Sequence, residues 1–148
     1  EGRTDSDYAG CRRTRKSTNG GLIMLGSHVV KSWSTTQAII ALSSGEAEFY
    51  SIVKGNSIGL GIKRMLEDMG VKLRLRISTD ASAAKGISSR KGAGKIRHIE
   101  VSQLWVQDKV RKGEISIRKV RTDENLADAL TKHVSQEELC YHIQQVYL

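Results

Sequence analysis

Hydrophobic and polar residues alternate along this chain with two different periods, and these periods predict its strands and helices. Period two over residues 71–80 is typical of a half-buried β-strand. Apolar runs over 22–26 and 29–34 are joined through a Gly-Ser-His sequence, as in a tight hairpin. With a short strand over 3–8, the pattern predicts three antiparallel strands before the fourth.

A longer period predicts one amphipathic helix over residues 44–69. Apolar side chains recur there every three to four positions, and Gly70 supplies the stop. Along one stripe the residues are apolar or lack a side chain, so this face of the helix can lie close to a sheet. The stripe consists of Ile52, Gly55, Gly59 and Ile62.

Two glutamates in the first turns of this helix have different predicted roles. Ser43 and Glu46 have the spacing of a capping box, in which each side chain bonds a backbone N–H near the helix start. Glu48 lies about 200° further round the axis at 3.6 residues per turn, so its carboxylate is free for chemistry. On this stretch alone, a solvated helix glutamate is the commoner explanation.

Strands and helices continue to alternate in the second half of the chain. In order, the pattern predicts a short helix (81–87), a glycine-rich basic loop (88–97), a helix (98–112), a fifth strand (115–120), a core helix (125–130) and a tail with helical spacing (135–148). A strand, a helix and a strand in succession imply a right-handed crossover with parallel pairing. We therefore expect an α/β domain over 1–134, followed by a helical tail over 135–148. Its sheet is five-stranded and mixed, with three antiparallel strands and then two parallel ones.

Composition restricts the class of protein. A chain of 148 residues is long enough for one core, and it has no apolar run that could span a membrane or serve as a signal segment. Cys11 and Cys140 are too few and too far apart for a disulfide scaffold or a thiolate metal cage. The first residue is Glu1 rather than methionine, which suggests a piece of a longer polypeptide.

A strong positive charge points to a polyanionic partner. The formal net charge is +8 and the pI is near 9.7, so the surface attracts polyanions over a Debye length. Nucleic acid is the natural candidate, and a merely basic, soluble surface is the alternative. The candidate nucleic-acid contacts are Arg12, Arg13, Arg15, Lys16, Ser44, Ser82, Arg90, Lys91, Lys95 and Arg97.

Four carboxylates fall on elements that can meet at one edge of the sheet. They are Asp5 on the first strand, Glu48 on the first helix, Asp80 at the end of the fourth strand and Asp128 on the last core helix. As bare ions they would repel one another, so the cluster requires cations. Oxygen ligands select Mg²⁺ or Mn²⁺, and two such ions about 4 Å apart can activate water for phosphodiester cleavage.

Each of these carboxylates also has a structural explanation. Asp80 could cap the helix that follows it. Asp128 could be a solvated residue beside a leucine stripe. Asp7 could replace Asp5, because the two share one face of a strand.

Several short motifs occur in order along nearly the whole chain. They are TDSDYAGC (4–11), RKSTNG (15–20), SWS (32–34), ALSSGEAEF (41–49), STDASA (78–83), KIRHIE (95–100) and NLADALTK (125–132). In this order they resemble the ribonuclease H domain of copia-type retrotransposon Pol polyproteins.

The resemblance implies a ribonuclease H-like fold with a catalytic quartet of Asp5, Glu48, Asp80 and Asp128. The quartet would hold two Mg²⁺ ions, which Mn²⁺ can replace, and the first aspartate would bridge them. Water would attack phosphorus in line and leave a 5′-phosphate and a 3′-hydroxyl. The expected substrate is the RNA strand of an RNA–DNA hybrid, recognised by its 2′-hydroxyl.

The resemblance also implies a biological setting, which is the removal of template RNA during reverse transcription. The expected partners are the reverse transcriptase and integrase modules of the same polyprotein, and the expected place is a retrotransposon particle in the cytoplasm or the nucleus. Residues 120–124 lack the histidine that many ribonucleases H carry in this loop, which implies slow turnover. Glycines in the first helix and a short first strand suggest relaxed constraint or a clipped boundary. The alternative is a catalytically weak or inactive nucleic-acid-binding module of the same fold.

Overall fold

A computed structural model describes residues 1–91, 99 and 104–146 of the protein. Its strands are β1 (Gly2–Asp7), β2 (Thr18–Leu25), β3 (His28–Thr36), β4 (Leu75–Thr79) and β5 (Ile115–Lys119). They form one sheet in the order β3-β2-β1-β4-β5. The first three strands pair antiparallel, and β4 pairs parallel with both β1 and β5. The predicted mixed sheet is confirmed.

The helices follow the predicted order with some different bounds. Among the described residues they are α1 (Ser44–Asp68), α2 (Ser82–Ser89), α3 (Trp105–Arg111) and α4 (Gln136–Gln144), together with two single 3₁₀ turns at Thr122–Glu124 and Asp128–Leu130. The predicted basic loop and the start of the predicted helix over 98–112 fall mostly on residues 92–98 and 100–103, which lie outside the described residues. None of the described helices is long and apolar enough to cross a membrane.

Helix α1 packs closely on the sheet because two of the residues that face the strands, Gly55 and Gly59, are glycines. A β-carbon on Gly55 would collide with Cγ2 of Thr4 on β1, and one on Gly59 would lie 2.7 Å from Cδ1 of Leu75 on β4. These glycines let the helix backbone approach the strands, at a cost in helix propensity. The predicted stripe is therefore confirmed, and reading these two glycines as relaxed constraint is wrong. Gly61, by contrast, faces open space.

The C-terminal segment forms a second, smaller apolar cluster. Leu22 and Met24 of β2 pack with Leu126, and Leu130 and Val146 lie against them. Helix α4 begins at a capping box formed by Ser135 and Glu138. The division into a domain over 1–134 and a tail over 135–148 stays a prediction.

The predicted α-helix over 125–130 is wrong, because a buried asparagine interrupts it. Nδ2 of Asn125 donates to the carbonyl of Thr4 at 3.1 Å, and Oδ1 of Asn125 accepts from the N–H of Ala127 at 3.4 Å. A side chain that bonds nearby backbone in this way competes with helix formation. The chain therefore makes a 3₁₀ turn at Asp128–Leu130, and it is anchored directly to β1.

Candidate metal centre

Three acidic side chains converge at one end of the sheet. Asp5, Glu48 and Asp80 each place one carboxylate oxygen within 4.8 Å of the other two. The parallel pairing of β1 with β4 brings the two strands to the same edge, and Asp80 directly follows β4. Glu48 reaches the group from the second turn of α1. The arrangement is an oxygen-only donor set of the kind that Mg²⁺ and Mn²⁺ prefer.

One oxygen of Glu48 is satisfied by the backbone and the other is not. Oε1 accepts a hydrogen bond from the N–H of Ser6 at 3.2 Å. Oε2 is buried and has no hydrogen-bond partner among the described residues. A buried carboxylate oxygen without a partner is costly unless a proton or a cation satisfies it. The residues present therefore fit a divalent cation.

The carboxylates hold their protons more tightly than usual when no cation is bound. Burial, followed by the charges of Asp5 and Asp80, raises the pKa of Glu48 to about 9. Burial also raises the pKa of Asp5 to about 6, against the opposing hydrogen bond from Thr131 and charge of Lys132. Glu48 is consequently protonated at neutral pH in the metal-free protein, and cation binding would release that proton.

The neighbouring glutamate is engaged elsewhere. Oγ of Ser43 accepts from the N–H of Glu46 at 3.2 Å, which confirms Ser43 as the helix cap. The Glu46 carboxylate accepts from the N–H of Leu42 at 2.9 Å and from the hydroxyl of Tyr50 at 2.7 Å. The Glu46 side chain therefore reaches back to Leu42, the residue before the capping Ser43, rather than to Ser43. Glu48 is thus the one of the two glutamates that meets Asp5 and Asp80.

Two of the alternative explanations do not match the geometry. Asp7 lies outside the group of three, and its Oδ1 accepts a hydrogen bond from the N–H of Thr18 across the β1–β2 pair. Asp80 is not the cap residue of α2, because the cap position is Ala81, whose own N–H donates to the hydroxyl of Thr79 at 3.2 Å. Asp5 and Asp80 are therefore the aspartates that share a site with Glu48.

The fourth predicted carboxylate is paired with a lysine. Asp128 is not in the group of three, and its Oδ1 lies 2.6 Å from Nζ of Lys132. The same Nζ lies 3.9 Å from Oδ2 of Asp5. The hydroxyl of Thr131 also donates to Oδ2 of Asp5. Partial burial lowers the pKa of Lys132, but the hydrogen bond to Asp128 and the surrounding carboxylates raise it above its usual value.

Sequence reasoning missed both Thr131 and Lys132. The i,i+4 spacing of Asp128 and Lys132 is the one signal that could have pointed to the ion pair. The hydrogen bond of Thr131 with Asp5 joins residues 126 positions apart. No local pattern could have predicted it.

The candidate nucleic-acid contacts fall on several elements, and two of them are serines at helix starts. Ser44 and Ser82 are exposed and are the first residues of α1 and α2. The two helix starts are adjacent, since a β-carbon on Gly45 would lie 3.0 Å from Cβ of Ala83. The remaining candidates are cationic. In the loop between β1 and β2, Arg12, Arg13 and Arg15 are exposed and Lys16 is half-buried. Arg90 and Lys91 follow α2, whereas Lys95 and Arg97 lie outside the described residues.

The sequence is similar to one segment of much longer proteins. It is 31% identical over 144 residues to the retrovirus-related Pol polyprotein from transposon TNT 1-94 of Nicotiana tabacum, covering 95% of this chain and 11% of that protein. It is 28% identical over 136 residues to the Pol polyprotein from transposon RE1 of Arabidopsis thaliana, covering 90% and 9%. The chain spans about a tenth of the length of these relatives. No protein-family model matches it.

Solved structures share the fold at low sequence identity. The N-terminal RNase H domain of a Mycobacterium tuberculosis protein matches with a TM-score of 0.59 and 15% identity, covering 97% of this chain and 96% of that one. The LC11-RNase H1 structure in complex with an RNA/DNA hybrid matches with a TM-score of 0.54 and 16% identity, covering 88% and 91%. The chain therefore has a ribonuclease H-like fold, and its sequence is similar to one segment of the retrovirus-related Pol polyproteins of copia-like transposons.

Proposed function

We propose that this domain is a Mg²⁺-dependent endoribonuclease that hydrolyses the RNA strand of RNA–DNA hybrids during reverse transcription of a retrotransposon. The observation that carries the proposal is the convergence of Asp5, Glu48 and Asp80 within 4.8 Å on a ribonuclease H-like fold. One structural neighbour is bound to an RNA/DNA hybrid, and the sequence relatives are Pol polyproteins. Both likenesses support this substrate.

Asp5, Glu48 and Asp80 would hold the metal, with Asp128 as the proposed fourth ligand. Two bound Mg²⁺ or Mn²⁺ ions would supply the charge that activates water and stabilises the leaving oxygen in phosphodiester hydrolysis. The protein orients Glu48 through its backbone, since the N–H of Ser6 holds one carboxylate oxygen while the other has no partner in the described part of the chain.

The basic loops and the starts of two helices would position the hybrid. N–H groups at the first turns of α1 and α2, beside Ser44 and Ser82, are suited to phosphate oxygens. Arg12, Arg13 and Arg15 add charge that would attract the backbone of either strand. The proposed partners are the reverse transcriptase and integrase modules of the same polyprotein, and the proposed site of action is the retrotransposon particle, in the cytoplasm or nucleus.

One observation favours a second candidate function, an inactive or catalytically weak hybrid-binding module. Asp128 is paired with Lys132 at 2.6 Å and does not join the other three carboxylates. The loop over residues 120–124 also offers no histidine. A module of this kind would bind hybrids without cutting them.

A cleavage assay separates the two functions. A hybrid with labelled RNA is incubated with the wild type, Asp5→Asn, Asp80→Asn and the matched control Asp7→Asn, with and without Mg²⁺. The nuclease proposal expects Mg²⁺-dependent cleavage by the wild type and Asp7→Asn, and none by the other two. Undiminished cleavage by both Asp5→Asn and Asp80→Asn would remove the assignment, and binding without cleavage by the wild type would favour the inactive module.

A further inference from the structure

A lysine ammonium lies between Asp5 of the candidate metal centre and the neighbouring carboxylate of Asp128. Nζ of Lys132 is 2.6 Å from Oδ1 of Asp128 and 3.9 Å from Oδ2 of Asp5. The Lys132 side chain is 47% exposed, whereas that of Asp5 is 2% exposed. The ammonium therefore approaches the buried carboxylate from the solvent side of the site.

The fold holds this lysine in place. The hydroxyl of Thr131, the preceding residue, donates to Asp5, and the carbonyl of Asp128 lies 3.1 Å from the same hydroxyl. The segment also presses against β2, where a β-carbon on Gly20 would lie 3.0 Å from the carbonyl of Ala127. The position of Lys132 is thus built into the packing of the C-terminal segment on the sheet.

We propose that Lys132 is the resident cation of the metal-free site and competes with a divalent ion for Asp5 and Asp128. The inference rests on the proposed function, because it assumes that these carboxylates bind metal. An ammonium at these distances neutralises part of the carboxylate charge. A divalent ion that shared the same oxygens would have to displace it and would meet its repulsion. Lys132 therefore lowers the affinity of a metal position that shares oxygens of Asp5 and Asp128, and it stabilises the protein before metal arrives.

Calorimetric titration with Mn²⁺ tests this directly. The proteins compared are the wild type, Lys132→Met, Lys132→Arg and Lys72→Met, each stripped of metal. Lys72 is exposed and precedes β4 at the end remote from Asp80, so its loss changes net charge equally without touching the site. We expect Lys132→Met to bind Mn²⁺ about tenfold more tightly at the position that involves Asp5 and Asp128, equal to about 1.4 kcal/mol. Lys132→Arg and Lys72→Met should keep the wild-type affinity.

Thermal unfolding supplies a readout that does not depend on activity. Metal-free Lys132→Met should melt at a lower temperature than the wild type, because Asp128 and Asp5 lose their cation. Saturating Mn²⁺ should raise its melting temperature more than it raises that of the wild type. Lys132→Gln, which keeps a hydrogen-bond donor for Asp128, is the second neutral variant if Lys132→Met does not fold.

The outcomes separate this inference from the nuclease proposal. Equal or weaker Mn²⁺ binding by the neutral Lys132 variants overturns the inference, and hybrid cleavage by the wild type would then leave the nuclease function standing. If neither the wild type nor any of the variants bound Mn²⁺, both the inference about Lys132 and the nuclease proposal would be overturned. If Lys72→Met also bound Mn²⁺ more tightly than the wild type, net charge alone would explain the higher affinity. That result would also overturn the inference about Lys132.

Discussion

The backbone N–H of Ser6 donates a hydrogen bond to Oε1 of Glu48 across 3.2 Å. Because Ser6 follows Asp5 directly, this bond places the carboxylate of α1 beside the carboxylate of β1. One turn further along the helix, the hydroxyl of Ser51 donates to the carbonyl of Asp5 at 2.6 Å. The spacing of the two acids is therefore determined by hydrogen bonds between the strand backbone and the helix.

The burial of Glu48 predicts an unusual dependence of stability on pH. Its pKa is about 9 in the folded protein against an ordinary value of 4.5, so the folded state binds more protons than the unfolded state between these values. The free energy of unfolding of metal-free protein should therefore fall as pH rises from 5 to 9, by up to about 1.4 kcal/mol per pH unit from this group. Urea unfolding in EDTA at several pH values measures this decrease in the free energy of unfolding.

The variant Glu48→Gln should remove most of that pH dependence. At pH 8 it should be more stable than the metal-free wild type by at least about 1 kcal/mol, because no buried charge has to form. Glu124→Gln, a change at an exposed residue, is the matched control and should follow the wild type. A wild type whose stability rose steadily with pH over this range would contradict the burial of Glu48.

The helix glycines predict opposite effects of one substitution at two positions. Gly55→Ala should destabilise the protein by about 1 to 3 kcal/mol, since the new β-carbon would collide with Thr4. Gly61→Ala meets nothing within 4 Å and should stabilise it by up to about 1 kcal/mol through helix propensity. The urea midpoints of the two variants, compared with that of the wild type, show whether the two substitutions have opposite effects on stability. Equal effects would mean that α1 does not lie on β1 as described.

The buried amide of Asn125 predicts a link between stability and metal binding. Asn125→Ala removes the donor to the carbonyl of Thr4 and should cost about 1 to 3 kcal/mol. It should also weaken Mn²⁺ binding, since the turn that carries Asp128 loses its anchor to β1. Calorimetry and urea unfolding measure the two effects, with Gln136→Ala on exposed α4 as the control. Unchanged Mn²⁺ affinity would argue against Asp128 as a ligand.

The arginines between β1 and β2 predict a change in the salt dependence of hybrid binding. Replacing Arg12, Arg13 and Arg15 by glutamine should weaken binding and reduce the slope of log K against log salt by about 1 for each phosphate group that the variant no longer neutralises. Fluorescence anisotropy in EDTA measures binding without cleavage. Lys72→Gln should leave the slope unchanged. An unaltered slope in the triple variant would exclude this loop from the interface.

The order of the elements and the sheet could be predicted from the sequence because each depends on a local pattern. Period two marks β4, the i,i+3 and i,i+4 spacing marks α1, and the capping serine Ser43 marks where that helix begins. The crossover from β3 through α1 to β4 then follows from general rules of handedness. These rules predict the parallel direction of β4, and Asp5 and Asp80 meet at one edge on the further condition, met in the structure, that β1 and β4 are neighbours.

What the sequence did not show depends on interactions between distant residues. The turn at Asp128 is not helical because Asn125 bonds β1, and Asn125 and Thr4 are 121 positions apart. Gly55 was placed on the face that lies against the sheet, but the sequence does not show that Thr4 is the residue opposite it. Lys132 was missed for the same reason, since it meets Asp5 only when the C-terminal segment folds onto the sheet.

The central claim is that Asp5, Glu48 and Asp80 form one divalent-cation site, and a crystal structure of the protein grown with Mn²⁺ tests it most directly. Anomalous scattering locates manganese independently of any assumption about ligands. The account predicts a manganese peak bonded to oxygens of all three carboxylates, at about 2.0 to 2.3 Å. Saturating Mn²⁺ with no peak among these three side chains, or with a peak bound only elsewhere, would contradict it.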